Sequence, residues 1–212
     1  MDLNDIFRIP IIIPFIVGII NFRKLNIGHR WLLAFVGYGV ANEISSTLLL
    51  YLGGPLTMAQ RYLYNFITFL LLGMLYDYFL KDFFRKRWIL IVVLVYEIFY
   101  IINALFIQDI NEYPALANSL GAIIIVLFAI LYFYKIMNEA RILKLSSEPM
   151  VWINTSILIY YSGILFFYVL FNLMYKHSPE FGKLTFVYFN IQNTLLYILI
   201  AIGFWKVNSA KS

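Results

Sequence analysis

The chain contains no cysteine, so no disulfide, thiolate metal site or thiol nucleophile can form. Charge is scarce as well. Only 13% of its 212 residues are Asp, Glu, Lys or Arg, against about a quarter in a soluble domain. Histidine occurs only as His29 and His177. Both are expected in loops on opposite sides of a membrane, which excludes a buried His-based metal or haem site. The seven-helix hydrolases with a His/Asp zinc site fall with it. No G-x-S-x-G occurs. The last apolar run has no central lysine for a retinal Schiff base, and no second mid-membrane aspartate completes a paired aspartate site. No cofactor and no metal are expected, and no enzymatic activity. The opening stretch Met1–Phe7 carries Asp2 and Asp5 where a signal peptide would be basic, so the first apolar run is expected to belong to the mature protein.

What is present is apolar bulk. Hydrophobic residues make up 63% of the chain, with 20 Phe and 17 Tyr, and the mean hydropathy is +0.83. A soluble fold needs one apolar stripe per helix or one face per sheet, and cannot hide this much. A bilayer accepts it. A spanning helix needs about 20 mostly apolar residues, and seven runs qualify: 8–22, 31–52, 62–80, 88–107, 114–134, 151–175 and 185–205. The first is short and holds Pro10 and Pro14, so it is expected to be kinked or to begin nearer Leu3. The predicted fold is all-α: a polytopic membrane protein, one seven-transmembrane-helix bundle covering residues 1–212.

Lys and Arg set the direction of such a bundle. Twelve of the 16 fall on one side, in the clusters around Arg23, Arg85–Arg87, Arg141 and Lys206; Arg8, Arg61, Lys176 and Lys183 fall on the other, with the acidic Asp109 and Glu112. The basic side is read as cytoplasmic, which puts the N-terminus outside and the C-terminus in the cytoplasm of a bacterial inner membrane. Trp31, Trp88, Trp152 and Trp205 fall at the same ends, where amphipathic rings prefer the headgroup layer. The net charge of +5 is explained by this bias, so membrane lipid is the expected partner and nucleic acid is not.

Ionisable groups at mid-membrane cost about 2.5–3.5 kcal/mol on insertion scales and mark candidate sites. Glu43, beside Asn42 and Ser45-Ser46-Thr47, lies near the middle of the second run, and Glu97 near the middle of the fourth. Neither has a basic partner at its depth, so both are expected to face the bundle. Asp77 lies one turn from Lys81 and reads as a surface residue. Amides form a second pattern. Asn65 and Thr68 share a helical face, as do Asn190 and Asn193. With Asn103, Asn118, Ser119 and Asn172 they fall in the outer half. The inner half has mainly Asn21 and Asn154-Thr155-Ser156. An outward-facing polar cavity lined by Asn42, Glu43, Asn65, Thr68, Glu97, Asn190 and Asn193 is one expectation; helix-to-helix glue is the alternative.

Seven spans permit a 3+1+3 arrangement of two parallel repeats around the fourth helix, as in small PQ-loop carriers, whose Pro-Gln dipeptide is absent here. The stretches Ile16–Leu25 (IVGIINFRKL), Asn42–Ser46 (NEISS), Tyr62–Leu71 (YLYNFITFLL), Trp152–Gly163 (WINTSILIYYSG) and Asn193–Trp205 (NTLLYILIAIGFW) resemble a group of seven-helix bacterial membrane proteins. The resemblance implies the membrane-sensing half of a signalling pair. Three functions are therefore expected in order: a sensor or receptor-like component acting through a cytoplasmic protein partner, a small-solute carrier coupled to protons through Glu43 or Glu97, and an accessory subunit of a membrane complex. For the sensor, the stretch Asn138–Leu145 would extend the fifth helix, and Arg141, Ile142, Lys144 and Leu145 would dock the partner.

Overall fold

The computed structural model describes residues 9–53, 58–83, 87–108, 114–139, 145–174 and 179–209. Among these the regular structure is entirely helical: α1 (Ile12–Ile20), α2 (Ile27–Tyr51), α3 (Met58–Leu80), α4 (Trp88–Ile102), α5 (Ala115–Glu139), α6 (Pro149–Met174) and α7 (Pro179–Ser209), joined by short 3-10 turns. Five stretches are long and apolar enough to cross a membrane: Ile27–Leu49, Ala59–Leu80, Trp88–Ile107, Ala115–Glu139 and Val187–Val207. Large apolar side chains stand outward on them; in the stretch Trp88–Ile107 these include Leu94, Val95, Ile98, Leu105 and Phe106. Contiguous apolar surface of this extent belongs in hydrocarbon rather than water. The chain is a membrane-embedded helical protein.

Local chemistry explains the helix ends. Pro10 lies in the 3-10 turn before α1, and Pro14 in the first turn of α1. Its missing N–H would have had no intrahelical partner there, so a kink is not required. Asn21 closes α1 through its side-chain amide, which donates to the Val17 carbonyl at 3.0 Å. Asn26 caps α2: its Oδ1 accepts the His29 backbone N–H at 2.8 Å, the usual reach of an N-cap residue. This cap starts α2 at Ile27 instead of Trp31, and it corrects the placing of His29 in a loop. His29 sits in the first turn of α2, 4% exposed, edge-on to Phe79 at 5.2 Å between ring centroids. His177 lies outside the described residues. Gly53, at φ +72°, terminates α2 in the left-handed region that favours glycine. α4 runs on as a π-helical turn over Asn103–Ile107. Asn103 locks that end, donating from Nδ2 to Gln108 Oε1 at 3.0 Å. α5 runs past the expected Tyr134 to Glu139, but Leu145 belongs to a separate 3-10 turn, Leu145–Ser147.

Six helices close into a ring. α1 packs on α2, α2 on α3, α3 on α5, α5 on α6, α6 on α7, and α7 back on α1. α4 stands outside the ring and leans mainly on α3. Small residues let the helices approach. A Cβ at Gly73 would strike Val93 across the α3–α4 seam, and one at Gly203 would strike Ile153 between α7 and α6. α2 and α3 are antiparallel, since the start of α2 meets the end of α3 at His29 and Phe79, whereas α7 and α1 run parallel, with Gly18 near the end of α1 beside Phe204 near the end of α7, and so do α3 and α5. The ends of α3 and α5 meet where Lys135 Nζ donates to the Phe79 carbonyl at 2.7 Å. A cation there also suits the negative end of α3. Arg23, Lys24, Arg30, Lys81, Arg87 and Lys206 share this end of the bundle with Trp31, Trp88, Trp152 and Trp205; it is called the basic end below.

Candidate functional site

A cavity of about 210 Å³ lies in the half of the ring away from the basic end. Its lining follows helical spacing. α2 contributes Gly39, Asn42 and Glu43, and α7 contributes Asn190, Asn193 and Tyr197; steps of three and four place each set on one helix face. Tyr64 of α3, Tyr160 of α6 and Ile11 at the turn before α1 complete the wall. Gly39 keeps the wall open. A Cβ there would lie 2.7 Å from Ile11 Cδ1 and 3.7 Å from the hydroxyls of both Tyr64 and Tyr197. Tyr64 also stacks on Tyr38 at 5.6 Å between centroids.

Above this level α2 is polar, and its groups are tied down. Ser45 and Thr47 donate to the carbonyls of Asn42 and Glu43, at 3.0 Å and 2.8 Å. Gln60 of α3 reaches across and donates from Nε2 to Ser46 Oγ at 3.0 Å, with Ser45 Oγ at 3.2 Å and Asn42 Oδ1 at 3.3 Å. Gln60 thus fixes the rotamer of Asn42 from outside the cavity, a role no sequence pattern suggested.

The expected polar set divides between two chambers. Asn42, Glu43, Asn190 and Asn193 share the larger cavity. Asn65 and Thr68 line a separate space of about 40 Å³ with Asn118, Gly121, Tyr96 and Tyr161. There Asn65 Nδ2 donates to Asn118 Oδ1 at 3.2 Å, joining α3 to α5. Asn118 Nδ2 is buried without a partner, and the space has room for a water to satisfy it. Glu97 lines neither chamber. It is 4% exposed on α4, at the middle of the Trp88–Ile107 span, and both carboxyl oxygens are buried without a hydrogen-bond partner. Asp77, expected at the surface, is half-buried. Of the expected docking residues, Arg141, Ile142 and Lys144 lie outside the described residues; Leu145 is 52% exposed.

Toward the basic end the ring is sealed. Leu32 and Val36 of α2, Leu72, Leu75 and Tyr76 of α3, Ile153 and Ile157 of α6, and Ile200 and Phe204 of α7 are all buried to 1% exposure or less. Each lies one to three turns nearer the basic end than the cavity residues of its own helix. Asn154 knots this layer. It accepts from Tyr76 Oη at 2.8 Å and donates to the Ala129 carbonyl at 2.9 Å.

Chemically, the larger cavity offers one carboxylate, three amide side chains and three phenols. Among the described residues its lining pairs no nucleophile with a base, and no three His, Asp or Glu side chains gather to hold a metal ion. Compared with protein-family models, curated proteins and solved structures, the chain matches none of them.

Proposed function

We propose that the chain is a seven-span receptor-like component of a bacterial inner membrane, with the N-terminus outside and the basic end in the cytoplasm. The single observation carrying this reading is a blind polar cavity: about 210 Å³ of amide- and tyrosine-lined space above a layer of side chains with almost no exposure. A solute reaching it from the outer side meets a floor rather than a passage. Binding can then bias how α2, α3, α6 and α7 pack, since each supplies both cavity wall and floor. The basic end, with Leu145 exposed, is the surface a cytoplasmic partner would read. The orientation rests on the gathering of basic and Trp side chains at one end.

A carrier is the second reading, and one observation favours it. The contacts of α3 with α5 and of α7 with α1 are equivalent closures if α1–α3 and α5–α7 are repeats about an outlying α4. Carriers also bind near the bilayer centre between such repeats. The two readings part on transport. The chain in neutral detergent is screened for thermal stabilisation by amino acids, sugars and amines, and the stabilising solute is then offered to proteoliposomes. The receptor reading expects stabilisation without uptake or counterflow. Uptake that the cavity-filling substitution Gly39→Leu abolishes would overturn it in favour of the carrier.

A further inference from the structure

We infer that the ligand of this cavity is an uncharged single-chain amphiphile that enters sideways from the bilayer, with its hydrogen-bonding end in the cavity and its alkyl chain in a neighbouring groove; the inference rests on the receptor reading of the same cavity. The groove lies between α1 and α2 and holds about 470 Å³. Val40, Ile44, Leu48 and Tyr51 of α2, at steps of three and four, form one wall, and Ile12 of α1 stands on the other. Its surface is almost wholly apolar. Ile11 and Glu43 line both the groove and the polar cavity, so the two spaces meet along those side chains. On its other side the groove is continuous with the lipid interface, because Ile12, Ile44, Leu48 and Tyr51 belong to the exposed apolar surface that meets hydrocarbon.

The lining chooses the polar end. Asn42, Asn190 and Asn193, and the hydroxyls of Tyr64, Tyr160 and Tyr197, are groups that both donate and accept. They suit a ligand group that does the same, a hydroxyl or a primary amide, over a phosphate that mainly accepts or an ammonium that only donates. Depth argues the same way. The cavity meets α2 at Gly39–Glu43, near the middle of the Ile27–Leu49 span, and the groove runs outward from there to Tyr51. The polar end of the ligand thus sits deeper than its chain, the reverse of a phospholipid in its leaflet, and it reaches that depth through hydrocarbon. A neutral hydroxyl makes the passage at modest cost, whereas a charge costs far more. From Glu43 to Tyr51 the groove follows about 12 Å of helix, which calls for a chain of medium length. The cavity, at about 210 Å³, falls below the range of about 300–1,000 Å³ typical of drug-sized ligands, so the polar end is small.

The test uses the full chain in phosphatidylcholine nanodiscs and decan-1-ol carrying a diazirine in mid-chain. Irradiation is expected to label the stretch Ile44–Tyr51 about fivefold above the exposed face of α4 at Leu94, Val95 and Ile98, the size of effect that one net hydrogen bond supplies. Untagged decan-1-ol and decanamide are expected to compete. Decane, which lacks the polar end, and decyl phosphate, whose end is charged, are not. Leu48→Trp, which fills the groove from a lipid-exposed position, and Gly39→Leu, which fills the cavity, are each expected to remove the excess labelling. If either variant does not fold, the competition series on the wild type still decides. Equal labelling of the two faces, or competition by decane or decyl phosphate as strong as by decan-1-ol, would each overturn the assignment. So would labelling that both folded variants retain. If the groove shows no excess labelling while a water-soluble solute stabilises the chain without uptake, the receptor reading stands and only the route from the bilayer is lost. Labelling as expected, together with uptake of such a solute into proteoliposomes, would keep the amphiphile and remove the receptor.

Discussion

Tyr76 and Asn154 meet across the bundle at 2.8 Å, hydroxyl to side-chain oxygen, with both residues at 0% exposure. The amide's other end holds the Ala129 carbonyl at 2.9 Å, so one side chain ties α3, α5 and α6 together. A buried polar group whose partners are all supplied is stabilising; the same group stripped of one partner is costly. Asn154→Ala leaves the Tyr76 hydroxyl and the Ala129 carbonyl without their partner, and is expected to lower stability by about 1–3 kcal/mol. Tyr76→Phe removes one bond and is expected to cost less, about 0.6 kcal/mol on the scale of interhelical bonds in membranes. Unfolding of the purified chain in mixed micelles measures both, and a double-mutant cycle isolates the pair. Coupling near zero would mean that the bond contributes nothing to the sealed floor.

The cavity gives a second prediction at Gly39. The nearest atom to a Cβ there is Ile11 Cδ1, at 2.7 Å, the movable end of a flexible side chain. Gly39→Ala is therefore expected to fold with a stability change within about 1 kcal/mol, since alanine also favours the helix over glycine by that order. Gly39→Leu projects into the space beneath the Tyr64 and Tyr197 hydroxyls, and is expected to abolish solute-dependent thermal stabilisation. A Gly39→Leu variant that is stabilised by solute as fully as the wild type would show that binding happens elsewhere.

Much of the helical framework was legible from hydropathy alone. Bilayer thickness sets a minimum run length, and the expected runs 31–52, 62–80, 88–107, 114–134 and 185–205 coincide, to within a few residues at their ends, with the five stretches long and apolar enough to span a membrane. The discrepancies are at the ends, where hydropathy carries no information. α2 begins at Ile27 because of the Asn26 cap, and α7 spans Pro179–Ser209, beyond its apolar run at both ends. His29 was misplaced for the same reason: a polar residue before an apolar run reads as a loop until the cap is recognised. The candidate site was legible in part. Glu43 stood out as an ionisable group at mid-membrane beside Asn42, and Asn190–Asn193 by their three-residue spacing, whereas Tyr64, Tyr160 and Tyr197 were lost among the chain's 17 tyrosines, and Gly39 carries no side chain to notice. Which helix neighbours which is a tertiary fact. It put Asn65 and Thr68 in their own chamber, and left Glu97 on the helix outside the ring.

The orientation supplies a third prediction. The chain is cysteine-free, so single cysteines report without background. Arg61 near the start of α3 and Arg87 just before α4 are both exposed, at opposite ends of the bundle. In intact cells a membrane-impermeant thiol reagent is expected to label Arg61→Cys and to spare Arg87→Cys until the membrane is opened. The reverse pattern would place the cavity on the cytoplasmic side, and the proposed receptor would lose its access to external solutes.

The last prediction concerns Glu97, whose oxygens are buried without partners at the centre of α4. Desolvating a polar group costs free energy that only a hydrogen bond or an opposite charge returns. The neighbouring Tyr96 packs closely on the seam, with the Phe69 ring of α3 3.9 Å away between centroids and its Oη donating to the Ala117 carbonyl at 3.0 Å, and Glu97 itself is buried. A buried position whose polar atoms have no partner loses nothing by carrying an apolar side chain of similar size. Glu97→Leu is thus expected to raise stability by about 1–3 kcal/mol, the cost of an unsatisfied buried group, and Glu97→Gln to change it by less. Residues that lower stability tend to be kept where function needs them. If Glu97 biases how α4 sits against the ring, Glu97→Leu will be more stable yet will lose solute-dependent changes in thiol accessibility measured from a cysteine at Leu145. A Glu97→Leu variant less stable than the wild type would show that the carboxyl has a compensating partner, and α4 would then be a static brace for the ring.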